Sequence, residues 1–195
     1  MPETRTNRLV IAITGASGAA YGVRMLELLK PEDVETHLVI SKAGERTISE
    51  ELDKTSKEIK ALADVVYPAA DIGAAIASGS FKTMGMLIAP CSVKTMGEVR
   101  TGLTSSLISR AADVMLKERR RLVLMVRETP FHLGHLRTMT ALSEMGAIIM
   151  PPMPALYAKP KTIDEMVTYT AVRALDLFGL DVGDINRWGE GGEGK

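Results

Sequence analysis

The sequence predicts one α/β domain, a three-layer sandwich around a mainly parallel sheet, and three observations carry that prediction. Short apolar runs alternate with stretches of helical periodicity along the chain, the pattern of repeated strand–helix units. Most of those runs are apolar at every position rather than at every second one, as strands covered on both faces must be. Finally, Ser17, Ser41, Ser92, Lys94, Thr95, Arg127, Glu128 and Tyr157 all fall just after a predicted strand. In open parallel sheets ligands bind outside those carboxyl ends.

The first strand covers residues 9–13 (LVIAI) and runs into a glycine turn carrying Ser17. A helix over 19–29 follows, with Val23, Leu26 and Leu29 on one face and Pro31 beyond its end. Two glycines let the turn approach an anion, and the amides opening the helix would hold a phosphate. Residues 34–40 form the second strand and 42–52 a helix. Thr55 and Glu58 make a capping box for a short helix ending near Ala63. Residues 64–67 are a third strand, and 71–83, rich in small residues, read as a mobile loop. The fourth strand spans 86–89 and leads into PCSVKT (90–95). Residues 105–119 form an amphipathic helix burying Leu107, Ile108, Ala111, Val114 and Met115. The fifth strand is 122–126; a helix over 134–145 stops at Gly146. The sixth strand, 147–150, enters the stiff PPMP turn, and Thr162 with Glu165 caps a last helix reaching Phe178. The domain covers 1–188, and GEGGEGK (189–195) is a flexible polar tail.

With 24 basic and 24 acidic side chains the chain carries no bulk field for nucleic acid or an anionic membrane surface. The single cysteine, Cys91, excludes an internal disulfide and a thiolate zinc site, and reads as a packing residue. The apolar run after MPETRTNR is too short for a signal peptide or a membrane span, so the expected compartment is the cytoplasm. Ser41 and Lys42 stand where a dinucleotide site needs an acidic residue, which disfavours NAD.

A rim of Ser17, Ser41, Ser92 and Thr95 suits a phosphate and a polar ring system, though Ser17 and Ser41 also suit helix caps. Arg127 and Glu128, adjacent on an extended chain, are expected to point to different walls. Arg110, Asp113 and Lys117 share a helix face and read as an ion-pair ladder. Arg173 shares a face with Met166 and Tyr169, a setting that calls for a partner. Trp188 is placed to cover a pocket or an interface. His132 and His135 lack the partners of a metal site and read as structural.

TGASGAAYGVR (14–24), ETHLVISKA (35–43), SGSF (78–81), APCSVKT (89–95), RAADVMLKERR (110–120), VRETPFHLGHLR (126–137) and MPPMPALY (150–157) together resemble the flavin prenyltransferases of the UbiX/Pad type. The resemblance spans nearly the whole chain, through Arg187 and Trp188. It implies a flavodoxin-like or Rossmann-like fold, assembly as a dodecamer and active sites at subunit contacts. It also implies metal-independent transfer of a dimethylallyl group from dimethylallyl phosphate to N5 and C6 of reduced FMN. The product, prenylated FMN, serves a UbiD-type decarboxylase. Ubiquinone biosynthesis and degradation of other aromatic acids both stay open as its pathway.

Matched by motif, Gly15, Ala16, Ser17, Ser41, Ser92, Val93, Lys94, Thr95 and Arg127 bind FMN. Ser80, Arg110, Lys117, Arg127, Glu128, Tyr157, Arg173 and Trp188 surround the prenyl phosphate. Ser17 and Glu51 handle the flavin proton, while Lys117 and Glu128 act at the leaving phosphate. Leu52 departs from the small polar residue many members carry after the glutamate. Two other readings are a non-catalytic flavin carrier and an FMN-dependent cysteine decarboxylase of related fold. The second expects a PASANT-type block and an asparagine-bearing P-x-M-N block where this chain has APCSVKT and MPPMP.

Overall fold

The computed structural model describes residues 7–188, so the tail over 189–195 lies outside the described residues. Six parallel strands form one sheet in the order β3-β2-β1-β4-β5-β6. They are β1 (Arg8–Ile13), β2 (Glu35–Ile40), β3 (Val65–Pro68), β4 (Gly85–Cys91), β5 (Arg121–Val126) and β6 (Ile148–Ile149). Helices α1 (Ala19–Leu29), α2 (Lys42–Glu51), α3 (Ser56–Lys60), α4 (Val93–Thr101), α5 (Leu107–Lys117), α6 (Leu133–Glu144) and α7 (Ile163–Asp176) connect and flank the strands.

Side chains alternate across a strand, so each apolar run supplies two cores at once. Leu9, Ile11 and Ile13 of β1 pack with α1 and α7 on one face, joined by Ile48 and Ile59. Val10 and Ala12 face the other way, toward Leu107, Ile108, Ala111 and Met115 of α5. Strand β5 divides likewise: Val123 and Met125 to the first core, Leu122 and Leu124 to the second. A fully buried Leu or Ile contributes about 1.5–3 kcal/mol, so these two layers hold the sandwich closed.

One expectation is corrected, and one helix is added. Residues 71–83 are not a loose loop. They contain a short 3-10 turn (Ala75–Ala77) with Ile76 buried, and Arg120 ties the segment by donating to the carbonyls of Phe81 (2.6 Å) and Gly79 (2.5 Å). Helix α4 stands where the sequence reading names no element between PCSVKT (90–95) and the helix over 105–119. Its buried face includes Thr95 and Glu98 beside Met96 and Val99, so polar residues turned inward hid the apolar period. The capping box at α3 forms in full. At α7, Thr162 caps the amide of Glu165, but the Glu165 carboxylate takes the amide of Lys161 instead of returning to the cap.

Candidate active site

Strand order reverses between β1 and β4, and the connections leave that point in opposite directions. The crevice so formed is a cavity of about 830 Å3 at the carboxyl ends of β1, β2, β4 and β5. Thr14 stitches its two central walls together. Its buried hydroxyl donates to the Pro90 carbonyl (2.7 Å) and accepts from the Ser92 amide (2.9 Å). Next to it, a side chain at Gly15 would put its Cβ 2.4 Å from that of Ala43, so only glycine lets the turn lie against α2. Gly18, at φ +100°, turns the chain into α1.

The opening of α1 differs from expectation. Ser17 does not cap it. Instead the Glu51 carboxylate, from the last turn of α2, accepts from the amides of Gly18 (2.8 Å) and Ala19 (3.1 Å). A negative charge there offsets the positive end of the helix. Those two amides are therefore occupied, and an anion in the cavity is left to the rest of the rim. Glu51 thereby lies against the same turn as Ser17.

The rim has donors in quantity. Ser41 caps α2 through the amide of Gly44 (2.9 Å), and Ser92 caps α4 through the amide of Thr95 (3.3 Å), so the first turns of both helices line the cavity. Gly15, Ala16, Ser17, Ser41, Ser92, Val93, Lys94, Thr95, Arg127 and Glu128 all line it. Arg127 and Glu128 were expected on different walls. Both stand just past the end of β5 at Val126 and line this one cavity. Lys42, Arg46, Glu98 and Ser106 also line it and were not singled out from the sequence. Lys42 and Arg46 stand four apart on α2, a spacing that shares a helix face and was available as a signal. Glu98 is buried, accepting from Ser105 Oγ (2.5 Å) and Lys94 Nζ (2.7 Å). Four cations against two carboxylates leave the rim positive, as an anionic ligand requires.

Cys91, directly behind Ser92, has no exposed surface, and burial pushes its thiol pKa up to about 12. It is a packing residue, as expected, and no nucleophile.

Tyr157, Arg173 and Trp188 meet elsewhere, in a pocket of about 220 Å3 shared with Tyr169 and Arg187. Tyr157 stands in a short 3-10 turn after β6, and the Trp188 ring lies edge-on to it at 5.3 Å. The hydroxyls of Tyr157 and Tyr169 are hydrogen-bonded, and burial raises the pKa of Tyr169. Arg173 finds the partner its apolar setting called for in Asp176. Arg187 grips the same carboxylate with both terminal nitrogens, at 2.6 and 2.9 Å.

Three expected substrate residues stand in neither pocket. Arg110 pairs with Asp113 at 2.8 Å, but Lys117 pairs with Glu118, so the ladder on α5 has one rung and not two. Ser80 bonds Ser78 in the segment beside Lys117. Within one protomer, then, the residues expected to bind FMN converge and those expected at the prenyl phosphate do not. His132 caps α6 through Nδ1, with His135 stacked on it at 3.6 Å. Among the described residues no group of three or more His, Cys, Asp or Glu side chains could hold a metal ion. No helix among them is long and apolar enough to cross a membrane.

The family model for the flavoproteins matches residues 2–175. Flavin prenyltransferase UbiX of Neisseria meningitidis serogroup B is 55% identical over 181 residues, covering 93% of this chain and 96% of that protein. The chain belongs to the UbiX flavin prenyltransferases. Another member of the family, AnUbiX (PadA1), crystallised in complex with FMN and dimethylallyl pyrophosphate, is 49% identical with a TM-score of 0.93, covering 96% of this chain and 99% of that one. The dodecameric FMN-dependent UbiX-like decarboxylase from Escherichia coli O157:H7 matches at 47% identity with a TM-score of 0.88, covering 90% and 96%.

Proposed function

We propose that this protein transfers the dimethylallyl group of dimethylallyl phosphate to N5 and C6 of reduced FMN, closing a fourth ring and releasing phosphate. One observation carries the reading: a cation-rimmed cavity of about 830 Å3 at the strand-order reversal, in a chain 55% identical to a flavin prenyltransferase. That volume falls within the ~300–1,000 Å3 usual for cofactor-sized ligands. Its hydroxyls and cations fit a ribityl phosphate.

Gly15, Ala16, Ser17, Ser41, the 92–95 turn and Arg127 hold the flavin. Tyr157, Arg173 and Trp188 take the prenyl phosphate, with Ser80, Arg110, Lys117 and Glu128 completing its surroundings. Because one protomer holds these in separate places, the reaction belongs at a contact between subunits of a dodecamer. The UbiX-like protein from E. coli O157:H7 is such an assembly. Lys117, Arg127 and Arg173 stabilise the charge that develops as phosphate departs. Glu128 supplies a proton to that leaving group. Ser17, with Glu51 held against the same turn through the Gly18 amide, takes the C6 proton. The faces of Tyr157 and Trp188 favour positive charge on the allylic carbons. The product passes to a UbiD-type decarboxylase in the cytoplasm.

The test is anaerobic: purified protein, reduced FMN and dimethylallyl phosphate or pyrophosphate, with mass spectrometry of the released flavin. A flavin heavier by one five-carbon unit, absent without protein, is the expected result. FMN that binds and returns unmodified with either donor would overturn the reading in favour of a carrier.

A further inference from the structure

Arg187 lies past the last helix, in a segment without regular secondary structure whose preceding buried anchor is Val182. The fork it makes to Asp176 is the paired, planar geometry in which arginine–carboxylate bonds are strongest, and both side chains are mostly shielded, at 24% and 17% exposed. Its covalent neighbour Trp188 is 81% exposed, and its ring lies edge-on to Tyr157. A ring so bare needs its backbone held to keep that position. The same Asp176 carboxylate also pairs with Arg173 one helical turn earlier.

We propose that Asp176 is a positioning residue for the transfer. Through Arg187 it holds the chain end so that Trp188 walls the second pocket against Tyr157, and through Arg173 it fixes the direction of that guanidinium. The inference rests on reading this pocket as the prenyl-phosphate site. It has a distinctive sign. A carboxylate beside an anion site repels the anion, so its neutralisation should by charge alone tighten phosphate binding. The clamp predicts the reverse, because the wall is lost with the charge.

Trp188 is the chain's one tryptophan, so its fluorescence anisotropy reads how firmly the wall is held in the full-length protein. Asp176→Asn is expected to lower that anisotropy and to raise KM for dimethylallyl phosphate about tenfold, equivalent to ~1.4 kcal/mol. The fall in kcat is smaller and FMN affinity is retained. Asp176→Glu restores both readouts in part. Arg187→Gln, which leaves the Arg173–Asp176 pair in place, does the same as Asp176→Asn and carries the test if that variant fails to fold. Unchanged anisotropy in both variants, or a lowered KM in Asp176→Asn, overturns the proposal. Arg173→Gln separates the two ideas. If it raises KM while the clamp variants do not, the clamp alone is wrong; if it leaves KM unchanged, the pocket has been misread and anisotropy alone judges the clamp.

Discussion

Thr14→Val removes one oxygen and keeps the shape, which isolates what the stitch between β1 and β4 contributes. The Ser92 amide loses its acceptor, and a buried amide left unsatisfied costs about 1–3 kcal/mol. The hydroxyl's own bond to Pro90 accounts for roughly 0.5–1.5 kcal/mol more, although the Pro90 carbonyl keeps the Thr14 amide at 3.2 Å. The added methyl recovers about 0.8 kcal/mol by burial. The net loss is about 1–4 kcal/mol, which for a chain of this size lowers Tm by roughly 2–15 °C. FMN affinity should fall too, because both stitched turns line the cavity. Thr14→Ser keeps both bonds and should lose only the methyl, about 1 kcal/mol. The assay is a thermal melt with FMN titration on all three proteins. A Thr14→Val protein that melts within about 1 °C of the parent and binds FMN equally would refute the reasoning.

Glu128→Gln should slow turnover by on the order of 100-fold while FMN still binds, the usual contribution of a general acid; unchanged single-turnover rates would remove Glu128 from that role. Glu51→Ala uncovers two amides at the start of α1 and should destabilise by about 1 kcal/mol, read as a lowered Tm. Hydrogen bonds from Arg187 and, less strongly, Arg173 hold the Asp176 carboxyl below the usual range, against the opposing effect of burial. Its stabilisation is therefore complete above the unfolded value near ~4 and is lost as pH falls through the lower folded value. Melting profiles between about pH 5 and 2 should accordingly be shallower for Asp176→Asn than for the parent, and superimposable profiles would contradict this.

The sheet was legible because its strands are apolar on both faces, a signal that survives without tertiary information. Helix α4 was not, since Thr95 and Glu98 point inward for reasons that exist only once the cavity does. The cavity rim was legible because it follows strand ends, where topology gathers residues distant in sequence. Glu51 as a helix cap was hidden, because it reaches 33 residues back and no local pattern encodes that contact.

Cys91 sits wholly enclosed behind the rim of the cavity. For thiol-directed chemistry the chain is thus already blank. A cysteine introduced at an exposed place far from the cavity, such as Lys57 on α3, would be the one group on the folded protein able to take a maleimide dye. A fluorophore or tether can be set at one known address without replacing any native residue behind the rim.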